Sequence, residues 1–236
     1  MSGNAAGVAR TRVSPAVEQL HHDASERRSW LIPGADELFR SIYTGFETTT
    51  RVSLAVCSAV EGEGKTTISL GLAIAIAQDF PDRRVVVVET DLWRSVLAKD
   101  FGLPPDPGLA DCLLDRQPVS SALRATTLDN LSLLVGGSNV GSAQRLLRSA
   151  RMPQVIAELR RSHDVVILDT PAVLAHSEVS LLTRMVDEVV FVVRTGVTPA
   201  KQLKDSLGRI QGRVRGIVLN DARSSVPHAV RRLVRV

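Results

Sequence analysis

Val52-Ser53-Leu54-Ala55-Val56-Cys57-Ser58-Ala59-Val60-Glu61-Gly62-Glu63-Gly64-Lys65-Thr66-Thr67 decides the fold. An apolar run over Val52–Cys57 reads as a buried strand, and Ser58–Gly64 as a glycine-containing loop. Lys65–Gln78 then reads as a helix, with Ile68, Leu72 and Ile76 at spacing four. Ala59–Thr66 fits the pattern of a phosphate-cradling loop, with Ala59 where the first glycine usually stands. Gly62 and Gly64 let backbone N–H groups turn inward around phosphate oxygens, and the helix that follows offers free donors and a favourable dipole. Lys65 is the point charge for the β and γ phosphates, and the Thr66 hydroxyl is placed for Mg²⁺. Glu63 and Thr67 complete the nucleotide-binding stretch over 62–67.

Strands and helices alternate outward from this loop. Val85–Val88, Leu131–Val135, Val165–Leu168, Val189–Val193 and Ile217–Leu219 are short apolar strands, with helices over Gln154–Arg161 and at about 176–186 and 199–211. Six such strands alternating with helices predict an α/β, three-layer P-loop NTPase fold, a mostly parallel sheet with helices on both faces. Ligands of such sheets lie beyond the carboxyl ends of the strands. There Val85–Val88 delivers Glu89, Asp91 and Arg94, two carboxylates and a guanidinium able to hold Mg²⁺ or accept a hydroxyl proton. If the strand continued, Glu89 and Asp91 would share a face. Val165–Leu168 ends in Asp169, an acid placed to orient Mg²⁺. Ile217–Leu219 ends in Asn220, whose amide reads either as a base-edge contact or as a loop cap.

The 236 residues are 44% hydrophobic and 23% charged, enough for one sizeable core and too ordered in character for global disorder. No apolar run approaches the roughly 18–20 residues of a membrane span, and the polar N-terminus has no signal-peptide pattern, so a cytoplasmic location is expected. Cys57 and Cys112 make no disulfide framework, and with five scattered histidines they match no structural zinc spacing. The expected organisation is a mobile leader over 1–32, the α/β domain over 33–222, opened by a helix over Asp36–Thr49, and a basic tail over 223–236. Net charge is +4, but residues 201–236 hold nine Lys/Arg against two acids. Such a basic end suits an anionic membrane, nucleic acid or an acidic protein segment, or is simply solvated. An aromatic content of 3% counts against nucleic-acid stacking platforms.

The loop, Glu89-Thr90-Asp91-Leu92-Trp93-Arg94 and Asp169-Thr170-Pro171, in this order, resemble the bacterial tyrosine kinases of capsule and exopolysaccharide synthesis, within the deviant-Walker P-loop ATPases that include MinD and ParA. Val60 stands where the MinD and ParA branch carries its early lysine, which favours the kinase branch. Phe101-Gly102-Leu103, Gly108–Leu113, Leu133–Gly137, Val193–Thr198 and Gly216–Asn220 extend the resemblance over about residues 33–222. Departures are plain. Glu89 replaces the first Asp of Asp-x-Asp. The oligomerisation pattern Glu-x-x-Arg-x-x-Arg is reduced to Glu37, Arg40 and Tyr43. Gly141-Ser142-Ala143-Gln144 replaces Pro-Asn-Pro, and no tyrosine cluster follows, Tyr43 being the sole tyrosine.

The resemblance implies ATP and Mg²⁺ as cofactors. Lys65, Glu89, Asp91 and Arg94 would be catalytic, with Glu89 or Asp91 taking a tyrosine proton; Thr66, Asp91 and Asp169 would hold the metal. It further implies a separate membrane partner of the polysaccharide co-polymerase type at the inner face of the membrane, and a homo-oligomer. The acceptor would be another protein or Tyr43. The alternative is a non-kinase, MinD/ParA-like ATPase switch controlling assembly or localisation; a partitioning ATPase acting on DNA is disfavoured by Val60.

Overall fold

The computed structural model describes residues 39–40, 42–43, 51–138 and 141–221. The expected leader over 1–32, the tail over 223–236 and most of the helix expected over Asp36–Thr49 lie outside the described residues; Phe39, Arg40, Ile42 and Tyr43 are helical.

The elements are β1 (Val52–Ser58), α1 (Lys65–Asp79), β2 (Val85–Glu89), α2 (Leu97–Asp100), α3 (Leu109–Leu113), α4 (Val119–Ala122), β3 (Arg124–Ala125), β4 (Leu131–Leu134), α5 (Ala143–Leu147), α6 (Arg151–Ser162), β5 (Val165–Asp169), α7 (Glu178–Arg184), β6 (Glu188–Arg194), α8 (Ala200–Leu207) and β7 (Val214–Asn220). They build a seven-stranded sheet in the order β3-β4-β2-β5-β1-β6-β7. All pairings are parallel except β3 with β4. β3 is the strand beyond the six expected from sequence; two residues are too few to show a period.

Alternation along the strands divides the core between the two faces. On one face Leu54, Val56, Val85, Val87, Ile167 and Val192 pack under Leu72, Ala73 and Ile76 of α1, with Phe39, Ile42 and Tyr43 beside them. Gly71 lets Phe39 approach, since a Cβ at Gly71 would overlap the phenyl ring. On the other face Ala55, Cys57, Val86, Val88, Leu168 and Phe191 pack against Leu109 of α3, Met152, Val155 and Leu159 of α6, and Leu182 of α7. Leu54, Leu72 and Phe191 are fully buried, each worth about 1.5–3 kcal/mol in apolar burial. Both thiols are sealed in this packing. Burial pushes Cys57 up to about 12 and Cys112 up to about 11, so both stay protonated and inert.

β5 lies between β1 and β2, which places three carboxyl ends side by side. Val56 of β1 is level with Asp169 of β5, and Asp169 is level with Glu89 of β2.

Candidate active site

The phosphate loop leaves β1 at Ser58 and enters α1 at Lys65. Gly62 and Gly64 have φ of 76° and 95°, the left-handed region that glycine adopts without a steric cost. Gly64 is the N-cap of α1, no side chain caps it, and the first turn carries no acid. The leading N–H groups of a 15-residue helix therefore point into the loop, which suits an anion. Lys65 is 8% exposed and makes no ion pair among the described residues. Thr67, in the same turn, is exposed.

Glu63 points away from this cradle. Its carboxylate is fully buried; Oε2 accepts from the Val60 N–H at 2.8 Å, while Oε1 accepts from the Arg194 N–H at 3.0 Å and from the Thr198 hydroxyl. Among the expected nucleotide-binding residues, Glu63 thus offers only its backbone to a phosphate. Asn220 clamps the same loop from β7. Its Nδ2 donates to the Glu63 carbonyl at 2.9 Å, and its Oδ1 accepts from the Asp221 N–H at 3.0 Å. Of the two readings of Asn220, this is the geometry of the loop cap. A Cβ at Gly64 would overlap the Asn220 amide, so Gly64 is needed for space as well as for φ.

Asp169 ends β5 directly beside the first turn of α1. The Thr66 hydroxyl donates to its Oδ2 at 2.7 Å and the Ser69 hydroxyl to its Oδ1 at 3.3 Å. Burial pushes the Asp169 carboxyl up to about 7; the Thr66 and Ser69 hydroxyls and the Lys65 charge pull it back, and the Glu89 carboxylate pushes it up further. A cation here would offset that desolvation. Among the described residues no cluster of three or more His, Cys, Asp or Glu could hold a metal alone. One hydroxyl and one carboxylate beside a phosphate cradle fit Mg²⁺, which keeps water and takes phosphate oxygens as its remaining ligands.

β2 ends at Glu89, so the strand does not carry Asp91 onto a shared face. Glu89 is 1% exposed and accepts four hydrogen bonds: from Ser95 Oγ (2.7 Å) and Gly136 N (2.7 Å) on one oxygen, and from Val96 N (2.6 Å) and Leu97 N (2.9 Å) on the other. It ties the loop after β2 to the end of β4. Asp91 stays partly open in the following turn, accepting from the Arg94 N–H at 3.2 Å. No hydrogen bond joins Asp91 to Thr66 or Asp169 among the described residues. Arg94 reaches back to the phosphate loop and pairs with Glu61.

The structure therefore brings together Gly62, Gly64, Lys65, Thr66 and Asp169, with Asp91 and Arg94 on the neighbouring loop. Sequence reading missed Ser69, Ser95, Gly136, Arg194 and Thr198, which hold the site from outside its motifs. Ser69 left a signal one helical turn after Thr66, and Gly136, Arg194 and Thr198 lie in stretches that carried the family resemblance without a role being read for them.

The AAA domain family model, AAA_31, matches residues 48–215. The chain is 31% identical over 198 residues to the tyrosine-protein kinase ptk of Acinetobacter johnsonii, covering 81% of this chain and 27% of that one. It is 29% identical over 196 residues to the tyrosine-protein kinase YwqD of Bacillus subtilis, covering 80% of this chain and 82% of that one. The kinase domain of Escherichia coli tyrosine kinase ETK superposes with a TM-score of 0.72 at 25% identity, over 82% of this chain and 80% of that domain. The fold expected from sequence and the resemblance to bacterial tyrosine kinases are both borne out. The chain spans about a quarter of the Acinetobacter kinase and most of the Bacillus one.

Proposed function

Because the chain belongs to the AAA domain family, with its match over residues 48–215, we propose that it binds Mg²⁺-ATP and transfers the γ-phosphoryl group to a tyrosine of another chain. The observation that carries this reading is the contact of Thr66 with Asp169 beside the open cradle of Gly62–Lys65. Backbone N–H groups of the loop and the start of α1 hold the phosphates, and Lys65 neutralises their charge. Thr66 and Asp169 would hold Mg²⁺, which would supply charge neutralisation at the phosphates. Asp91 adds a carboxylate at the rim. The acceptor's phenolic oxygen bonds to γ-phosphorus as the bridging P–O bond breaks. Asp91 receives the phenolic proton, and ADP leaves with the electron pair. Arg94, released from Glu61, stabilises the transferring group. Glu89 positions the Asp91 loop through its four hydrogen bonds.

Tyr43 does not serve as the acceptor in this state. It is 5% exposed and bonded to Asp79 at the far end of α1. No described helix is long and apolar enough to cross a membrane. We place the protein at the cytoplasmic face of the membrane, with a co-polymerase-type membrane partner in polysaccharide assembly and the basic segment toward anionic lipid. A homo-oligomer would gather several such sites beside an acceptor tyrosine that the membrane partner or another protein must supply, since Tyr43 is the sole tyrosine of this chain.

One observation favours a second reading. Glu89 is committed to structural hydrogen bonds, which leaves Asp91 alone as proton acceptor, and an ATPase switch governing assembly or localisation needs none.

Incubation with Mg²⁺-ATP and a tyrosine peptide decides between them, with intact mass and free phosphate measured together and Lys65→Ala as control. Phosphopeptide that vanishes in the variant supports the kinase. Free phosphate alone supports the switch. ATP binding undiminished by Lys65→Ala would sink both.

A further inference from the structure

We propose that Trp93, braced on His176, is the platform on which the aromatic ring of the acceptor tyrosine stacks. This rests on the kinase reading above.

Trp93 is placed where an acceptor must arrive. It lies between Asp91 and Arg94 in the turn after β2, and His176 lies in the loop that follows Asp169 of β5. β2 and β5 are neighbours in the sheet, and Thr90 is joined to Asp169 through both its N–H (2.9 Å) and its hydroxyl (2.8 Å). The phosphate cradle is the loop between β1 and α1, so an acceptor oxygen in line with a γ-phosphate bound there would approach over the loops that follow β2 and β5.

The indole is also held ready. Its ring centroid is 4.0 Å from that of His176, with the planes tilted by 31°. Leu92, 4% exposed, anchors the turn in the core, while Trp93 stands 39% exposed. An indole left that open forgoes burial, yet its orientation is fixed from behind. That is the form of a binding hot spot: a large, rigid, amphipathic surface that costs little ordering entropy to use. The other ring pair among the described residues, Tyr43 with Phe80, is at the opposite end of α1 and turned into the core.

The chemistry favours a phenol over an aliphatic alcohol. An aromatic ring gains from stacking on indole beyond its buried area, whereas a serine or threonine has no face to offer. Stacked on Trp93, the phenol can direct its hydroxyl toward Asp91, two residues back in the chain. Trp93 would thus determine specificity for tyrosine, with His176 as its positioning residue.

The test uses the full chain with Trp30→Phe, so that Trp93 is the sole indole. With Mg²⁺ and a non-hydrolysable ATP analogue bound, a short tyrosine peptide should change Trp93 fluorescence saturably. The same peptide with leucine in place of tyrosine should not. In calorimetric titrations Trp93→Ala should weaken the tyrosine peptide about three- to tenfold, Trp93→Phe should restore most of it, and His176→Ala should give an intermediate loss. Thermal unfolding verifies that each variant is folded. Equal binding of both peptides, no saturable change up to millimolar tyrosine peptide, or Trp93→Ala binding as tightly as the parent would each overturn the platform. Phosphate transfer, followed separately with ATP, tests the kinase reading: binding without transfer sinks that reading and leaves Trp93 a tyrosine-binding surface with no acceptor role, and transfer with unperturbed Trp93 overturns the platform and leaves the kinase.

Discussion

The Tyr43 hydroxyl donates to the Asp79 carboxylate, which Arg40 also engages at 3.0 Å. Asp79 closes the helix that Lys65 opens, so at 1.5 Å per residue the sole tyrosine sits about 20 Å from the phosphate site. Burial and the neighbouring carboxylate push the phenol up to about 12, which keeps it protonated and a donor. Tyr43→Phe should therefore leave ATP hydrolysis and phosphotransfer to a peptide within about twofold of the parent. It should cost about 1 kcal/mol of stability, or about 2–4 °C in Tm. Phosphate found on Tyr43 by mass spectrometry of the folded protein would contradict this.

Glu89 should respond as an anchor. Glu89→Ala strands the Val96, Leu97 and Gly136 N–H groups and the Ser95 hydroxyl, at a cost of about 3 kcal/mol in urea unfolding. Glu89→Asp restores the residue usual in the kinases but withdraws the carboxylate by about 1.5 Å. It should also destabilise, by about 1–3 kcal/mol, and lower the rate of phosphotransfer; a faster Glu89→Asp enzyme would show that the carboxylate works on the substrate directly.

Asp169 makes stability depend on pH. Its folded pKa of about 7 lies above the value of about 3.9 for a free aspartate, so ionising it costs the folded state. The contribution is fully present below about pH 4 and is lost as pH rises through 7. Without nucleotide and Mg²⁺, parent and Asp169→Asn should diverge across that window, the parent losing stability relative to the variant. Metal binding has the opposite sign, because it needs the carboxylate: Mg²⁺-dependent affinity for ATP should rise with pH up to about 7 in the parent and stay flat in Asp169→Asn. Parallel stability curves for the two proteins would remove the effect.

Glu61 pairs with Arg94 across the mouth of the phosphate loop, both side chains being well exposed. Glu61→Gln frees the guanidinium and removes a negative charge beside the phosphates. Exposed pairs are weak, so ATP should bind more tightly by no more than about fivefold, and the gain should shrink as salt is raised. Titration at two ionic strengths reads both; weaker binding by Glu61→Gln would mean the pair holds Arg94 in its working position.

Local order along the chain already determined the loop and its strand and helix. Gly62, Gly64, Lys65 and Thr66 work through backbone conformation and immediate neighbours, so their spacing alone is informative. Apolar runs such as Val85–Val88 and Val165–Leu168 likewise announce strands buried on both faces. Tertiary structure alone decided which distant groups meet. Thr66 reaches Asp169 across 103 positions only because β5 inserts between β1 and β2. The same stacking of loops turns Glu63 inward to Arg194 and Thr198, gives Glu89 its four donors and sets Trp93 on His176. Tyr43 reads in sequence as a candidate acceptor and in space as a core residue. Periodicity records which face of an element is buried, and strand order, set by packing of the whole sheet, chooses the partner it is buried against.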